Sequence, residues 1–378
     1  MRLIYIAPML QPVGGLERTL TDKANYIVSK GHEVMLLTYQ QKNEKIYYPL
    51  DKRVILHDMD CPVYSLYRLP LYARIGAYRQ LRRQFRQRMR QILDNFCPDV
   101  VVITVPNTED YINDMMGVAQ NVKVVVESHL ALPFHMVGKP FTERLLCWLY
   151  PPVRAIRKAN LLITLTEQDA RNWRQRGVRS VMVVPNPLTS YDEDIVSSEK
   201  SGRRIIAVGR LFGQKRFDRL IEAFALIASK YPAWSVDIFG EGPLRAQLQE
   251  QIGLLGLSGR VRLLPPTHAI YVEYRRSQFF VLSSDYEGFG MVIIEAMACG
   301  LPVVSTNCPC GPSEIVEEGK TGLLASMEVQ DLADKMEWMI THEDERQQMG
   351  GNAHEAAARY RMENVMQEWL QAYGSVLS

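Results

Sequence analysis

Residues 285–304 read DYEGFGMVIIEAMACGLPVV, and they place Glu287 and Glu295 on either side of Gly288-Phe289-Gly290 and an apolar run. Gln278 to Ser283, just before it, is rich in aromatic and β-branched residues and reads as a strand. Asp285 to Gly290 then reads as a loop and Val292 to Ala298 as a helix that Gly300 stops, before a second strand at Pro302 to Ser305. This strand–loop–helix–strand order is the repeating unit of a parallel sheet. The first turn of such a helix has amides without intrahelical partners. Those of Gly290, Met291 and Val292 are therefore suited to oxygens of phosphate or sugar. Glu295, one turn in, is placed to reach a ribose diol, an established use of an acid in nucleotide binding. The plainer reading is a capping carboxylate followed by a buried glutamate, and burial obliges that glutamate to have a partner.

The same alternation runs in both directions. Toward the amino terminus, buried runs at Arg2–Ala7, His32–Thr38, Val100–Val105, Val122–Val126, Leu161–Leu165 and Val181–Val184 read as strands, with helices at Leu16–Lys30 and Glu167–Arg176. Residues 189–203, TSYDEDIVSSEKSGR, lack apolar periodicity and read as a linker. The pattern restarts with strands at Arg204–Val208, Ser235–Phe239 and Val261–Leu264 and helices at Phe217–Lys230 and Leu244–Leu254. One amphipathic helix, Arg361–Leu377, follows. The fold class is thus α/β with two doubly wound halves, residues 1–188 and 204–360. Ligands of such sheets bind at the carboxyl ends of the strands, and two facing sheets make a cleft.

Composition agrees. The 378 residues suit two domains, and 47% hydrophobic with 23% charged residues is ordinary globular content. A net charge of +2 argues against a nucleic-acid partner. The six cysteines, Cys61, Cys97, Cys147, Cys299, Cys308 and Cys310, show no CxxC spacing and read as reduced thiols of a cytoplasmic protein. MRLIYIAPML, which Pro8 interrupts, does not read as a signal peptide, and no apolar stretch is long enough to span a bilayer, so any membrane contact is expected to be peripheral.

Further candidate residues follow strands. Gly14-Gly15 lie between the first strand and first helix, either as a close approach to phosphate or as a turn needing positive φ. The string PVGGLERTL lacks the GxGxxG fingerprint, which disfavours a nicotinamide enzyme. Glu127 and His129 follow Val122–Val126; the histidine either holds charge or a hydrogen bond at a ligand, or is a capping or core residue. Arg210 and Lys215 flank a glycine-containing turn and suit a diphosphate, the arginine as a fork and the lysine as a point charge; a solvated basic loop is the alternative. Gly240-Glu241-Gly242-Pro243 is a turn whose glycines admit a nucleotide, or only a turn. Residues 68–93 carry Arg68, Arg74, Arg79, Arg82, Arg83, Arg86, Arg88 and Arg90 with no acid. Leu71, Ile75, Tyr78, Leu81, Phe85 and Met89 interleave with them at helical spacing. The stretch reads either as a seat on anionic lipid or as a solvated surface helix.

Taken in order, the early Gly-Gly, the acid-x-His, the V-G-R…K pair, the F-G-x-G-P turn and E-G-F-G-x-x-x-x-E resemble the retaining family 4 glycosyltransferases. Their fold is GT-B, two facing Rossmann-like domains, and the resemblance implies that the helix of 361–378 packs back on the first half. The resemblance implies that Arg210 and Lys215 bind the donor diphosphate, Glu295 the ribose and Glu287 the transferred sugar. It further implies that Phe289, Gly290, Met291 and Val292 offer amides, that His129 meets the sugar near the reacting carbon, and that Gly14 and Gly15 face the diphosphate and acceptor, with Gly240 also on the donor side. The implied reaction moves a hexose or N-acetylhexosamine from a nucleotide sugar, UDP foremost, to a lipid-linked or polysaccharide acceptor. It retains anomeric configuration and uses no metal or other cofactor; Asp192-Glu193-Asp194 falls in the linker, and no DxD stands where a metal would need it. Pro265-Pro266 departs from the family, where a glycine is usual beside the base. The segment Cys308–Pro312 is similar to that of bacterial enzymes that add galactose-type sugars to surface glycans. Same-fold alternatives are a sugar-nucleotide epimerase or a phosphorylase-like enzyme, and the non-enzymatic alternative is a protein that only binds sugar nucleotide or lipid. The place expected is the inner face of the plasma membrane.

Overall fold

The structure is a computed structural model that describes residues 1–10, 14–41, 44–62, 71–105, 109–132, 152–192 and 202–378. The chain divides into two compact units, residues 1–185 with 366–378, and residues 186–365. Most of the linker, residues 193–201, lies outside the described residues, as do Arg68 and Cys147.

In the first unit the elements run β1 (Arg2–Ala7), α1 (Gly15–Ser29), β2 (Glu33–Thr38), β3 (Ile55–Asp58), α2 (Leu71–Phe96), β4 (Val100–Val105), α3 (Glu109–Val118), β5 (Lys123–Ser128), α4 (Pro152–Ile156), β6 (Leu161–Thr164), α5 (Glu167–Gln175) and β7 (Val181–Val183). All strands pair in parallel in the order β3-β2-β1-β4-β5-β6-β7. β4, VVVITV, is buried along its whole length, as a strand covered by helices on both faces must be. The order reverses between β1 and β4, so the chain leaves their carboxyl ends in opposite directions, which is where sheets of this kind form a crevice.

The second unit runs β8 (Arg203–Val208), α6 (Phe217–Ala228), β9 (Trp234–Phe239), α7 (Arg245–Leu254), β10 (Val261–Leu264), α8 (Ile270–Arg275), β11 (Phe279–Leu282), α9 (Met291–Ala298), β12 (Val303–Thr306), α10 (Pro312–Ile315), β13 (Gly322–Ala325), α11 (Val329–Thr341) and α12 (Glu343–Ala357). Its sheet is also parallel, in the order β10-β9-β8-β11-β12-β13, and reverses between β8 and β11. Its core includes Ile205, Leu220, Phe224, Ile238, Phe279 and Met336. At about 1.5–3 kcal/mol per enclosed aliphatic or aromatic side chain, this core holds the loops at the strand ends in place.

The last helix, α13 (Met362–Ser375), starts in the second unit, and its residues from Met366 onward belong to the first. There Trp369 and Tyr373 are fully buried, and the Trp369 indole donates to the Pro185 carbonyl at 2.8 Å.

Two local readings change. Gly14 is extended, with φ −158°, so positive φ is not what selects glycine there. In α2 the described apolar residues of the basic stretch serve the core: Phe85 and Met89 are fully buried in the first unit's core, with Tyr78 and Leu81 packed against it, while the side chains of Leu71 and Ile75 lie outside the described residues. Three of its arginines are also engaged. Arg82 reaches both Asp114 oxygens (2.5 and 3.0 Å), Arg86 lies 3.4 Å from the same carboxylate, and Arg88 donates to the Met59 and Asp60 carbonyls.

Candidate functional site

In the second unit the chemistry gathers where the strand order reverses. The chain leaves β8 through Gly209 and Arg210, makes a 3₁₀ turn at Gly213–Lys215, and enters α6 through Arg216. Arg216 is left-handed, with φ +47°, which re-aims the chain between the two helices. On the neighbouring strand the chain leaves β11 through Ser283 and Ser284. The two loops are bound together. Asp285 N–H donates to the Gln214 carbonyl at 2.9 Å, the Gln214 amide to the Tyr286 carbonyl at 2.7 Å, and Ser283 Oγ to the Lys215 carbonyl at 2.8 Å. Arg216 and Arg219 both reach Asp285, at 3.3 and 2.8 Å.

This frame brings Lys215 to Glu287. The ammonium lies 2.7 Å from Glu287 Oε1, which also accepts from Ser284 Oγ at 2.6 Å. Both donors act on one oxygen. Among the described residues none donates to Oε2. Arg210 is exposed, rests against the Phe212 ring at 5.2 Å, and makes no ion pair among the described residues. Among the described residues, a paired cation, a cation without an ion pair and a carboxylate engaged on one oxygen thus sit at the ends of two adjacent strands.

The turn that follows adds backbone donors. Gly290 caps α9 with φ +104° and no side-chain cap, leaving the first amides of the helix to a ligand or solvent. Phe289 is buried edge-on against Tyr360, ring centroids 5.6 Å apart. Gly311 is left-handed too, and a Cβ there would stand 2.0 Å from the Phe289 carbonyl oxygen. Glu295 is buried and accepts from the Tyr274 hydroxyl at 3.3 Å, so its carboxylate has the partner that burial demands. Gly240 is accounted for by packing: a Cβ would lie 1.9 Å from the Gly209 carbonyl oxygen, so the glycine lets two backbone turns touch. Cys308 sits nearby, and burial, with the charge of Glu287, pushes its thiol up to about 12, which keeps it protonated.

In the first unit the expected pair at the end of β5 is joined by residues that the sequence reading missed. Glu127, wholly buried, accepts from Lys23 Nζ at 2.8 Å and the Tyr373 hydroxyl at 2.5 Å on Oε1, and faces His129 Nε2 at 2.9 Å with Oε2. The Tyr373 hydroxyl also meets that of Tyr5 at 2.6 Å, and Lys23 Nζ lies 3.1 Å above the Trp369 ring centre. Burial alone would raise the Glu127 carboxyl; the Lys23 charge and the hydrogen bonds from His129 and Lys23 outweigh it and hold it at about 2. Burial pulls Lys23 down to about 8 and lowers His129, in both cases against the attraction of Glu127. One signal for Lys23 existed: it shares a helical face with the buried Thr19, Leu20 and Ile27. The His129 loop is further held by Asp169, which accepts from Leu132 N–H (2.8 Å), Ser128 Oγ (2.9 Å) and the Trp173 indole (3.1 Å).

Gly14 and Gly15 stand at the start of α1, with Gly15 its first residue and Gly14 the N-cap, which offers no side-chain cap. A depression of about 780 Å³, lined in part by Asn113, Lys123, Arg154 and Lys158, opens at the amino ends of the strands, opposite to His129. Among the described residues no three His, Cys, Asp or Glu side chains converge as metal ligands would, and Cys61, Cys97, Cys299, Cys308 and Cys310 are free thiols. Among them, too, no helix is long and apolar enough to cross a membrane.

The sequence matches two family signatures, "Glycosyl transferase 4-like domain" over residues 14–187 and "Glycosyl transferases group 1" over residues 192–356. An uncharacterised glycosyltransferase of Haemophilus influenzae is 25% identical over 359 residues, covering 94% of this chain and 95% of the relative. The amylovoran biosynthesis glycosyltransferase AmsD of Erwinia amylovora is 24% identical over 390 residues, covering 97% and 98%. The structure resembles that of HepE from Anabaena in complex with UDP and glucose, with a TM-score of 0.75 at 22% identity, covering 99% of this chain and 100% of that one. Two signatures that together take in almost the whole chain, on two parallel sheets with these strand-end loops, mark the protein as a glycosyltransferase of family 4 with the GT-B fold.

Proposed function

We propose that the chain transfers a hexose or N-acetylhexosamine from a UDP-sugar to a lipid-linked or polysaccharide acceptor in cell-surface glycan synthesis, with retention and without a metal. The observation that carries this is the Lys215–Glu287–Ser284 cluster beside the exposed Arg210, at the point where the sheet reverses. Two cations there suit a diphosphate, and Glu287 Oε2 is left to a sugar hydroxyl. The amides of Met291 and Val292 and the carboxylate of Glu295 take the remaining phosphate and ribose oxygens, and His129 takes a hydroxyl of the sugar. UDP is favoured because HepE holds UDP and glucose; a surface-glycan acceptor is favoured by the amylovoran enzyme.

In the reaction the bond between the anomeric carbon and the diphosphate oxygen breaks. The acceptor oxygen bonds to that carbon on the same face, and its proton passes to the departing diphosphate. Arg210 and Lys215 carry the charge that grows on the leaving group, so the acid–base work falls to the substrates themselves. The residues of the cluster position and neutralise.

A thermal-shift panel of UDP-, GDP- and ADP-sugars identifies the donor, since a ligand of the native state raises the melting point by mass action. With that donor, Lys215→Ala and Glu287→Ala are expected to lower donor hydrolysis or transfer by on the order of 10²-fold or more while the melting point of the free protein moves little. Turnover unchanged in either variant would sink the assignment.

A further inference from the structure

The cluster around Glu127 is more polar than packing requires. Lys23, Glu127 and Tyr373 come from α1, β5 and α13, and all three are fully enclosed. Replacing a buried ion pair by apolar residues of similar volume is often neutral or stabilising, so stability alone does not call for it. A phenylalanine would fill the place of Tyr373 without a hydroxyl to satisfy. The hydroxyl it has is shared between Tyr5 and Glu127.

What the cluster controls is the proton on His129. An ionised carboxylate only accepts, so His129 Nε2, 2.9 Å from Glu127, must donate. In the neutral ring Nδ1 is then bare. It is buried and has no hydrogen-bond partner among the described residues, an unsatisfied acceptor of the kind that calls for a ligand.

We propose that Tyr373 of the C-terminal helix, with Lys23, is a positioning residue: it holds Glu127 so that His129 is kept as the Nε2–H tautomer and offers Nδ1 as an acceptor to a hydroxyl of the substrate sugar. The groups facing the histidine and its carboxylate are Lys23 from α1, Tyr5 from β1 and Tyr373 from α13. This rests on the assignment of His129 to the sugar, and the experiment separates the two.

The first measurement needs no ligand. In the full chain labelled with ¹⁵N-histidine, the His129 resonances, assigned by their loss in His129→Ala, are expected to show Nε2 protonated and Nδ1 bare near neutral pH. Tyr373→Phe is expected to shift them toward a mixture of tautomers. Glu127→Gln, of the same size as the native residue, is expected to do the same and serves if Tyr373→Phe melts early. A native spectrum with Nδ1 protonated, or one that neither variant moves, overturns the proposal. The second measurement is a double-mutant cycle on hydrolysis of UDP-glucose, UDP-galactose and UDP-N-acetylglucosamine. Tyr373→Phe is expected to lower kcat about 10-fold with KM within about threefold, and to cost nothing further in a His129→Ala background. Losses that multiply in the double variant mean a structural role only and overturn the proposal. Unchanged turnover in His129→Ala, with the nitrogen spectra as expected, overturns the sugar assignment instead.

Discussion

Single residues decide how closely the strand-end loops of the second unit approach one another. Gly311 has φ +122°, and its absent Cβ would stand 2.0 Å from the Phe289 carbonyl oxygen. Gly311→Ala therefore meets both a conformational penalty and a backbone clash that no rotamer relieves. It is expected to lower stability by about 2 kcal/mol or more, or several degrees in melting point, and to weaken donor binding because Phe289 leads into the α9 amides. Thermal melts with and without UDP check both effects, and a variant that melts and binds like the parent contradicts this account. The comparison with Gly351→Ala is the control, since nothing lies within 4 Å of a Cβ at Gly351.

At the scale of elements, α2 combines a basic, exposed side with a buried one. Phe85 and Met89 belong to the core, and Arg82, Arg86 and Arg88 serve Asp114 and two carbonyls. Arg79, Arg83 and Arg90 remain exposed, and with Arg86 they follow one another at four-, three- and four-residue steps along one face. Any attraction to anionic lipid is then electrostatic, about 1 kcal/mol per arginine, and screened within a Debye length. Flotation with vesicles containing anionic lipid at low salt is expected to carry the chain up, and to fail after replacement of Arg79, Arg83 and Arg90 by glutamine or at 0.5 M salt. Binding that survives both changes would mean that another surface holds the lipid.

Burial on both faces made the central elements legible in the sequence. β4 announces itself as a β-branched run, β11 as an apolar one, and α9 by its glycine stops. β3 did not, because Ile55, Leu56 and His57 are exposed at the sheet edge and lack the pattern of a covered strand. In the candidate site, residues close in sequence to a strand end were legible: Arg210, Lys215, Glu287 and His129. Lys23 and Tyr373 were not, because they meet Glu127 from 104 and 246 residues away. Only the sheet order brings such distances together. Ser284 was missed for a different reason: a serine at a strand end carries no signal until its hydroxyl is seen on Glu287.

For the whole molecule, the buried charges set the response to pH. The Glu127 carboxyl titrates near 2 when folded, below its ordinary value of 4.5. Between those values the unfolded chain takes up a proton that the native one refuses, so stability present above the ordinary value is lost as pH falls through this window. The Lys23 ammonium is lowered from 10.5 to about 8, so from pH 8 upward the unfolded chain again holds more protons and stability rises. Melting points measured from pH 6 to 3 are expected to fall more steeply for the native chain than for Glu127→Gln. Parallel curves would place the acid sensitivity elsewhere.

The split membership of α13 bears on the order in which the protein comes into being on the ribosome. The carboxylate of Glu127 is translated early, but Tyr373, one of its donors, and Trp369, against which Lys23 rests, are made only after all of residues 186–365. The nascent first unit thus holds a charged pair with part of its cover missing until the second unit has been synthesised. A chain arrested after residue 185 is a scaffold awaiting its final helix.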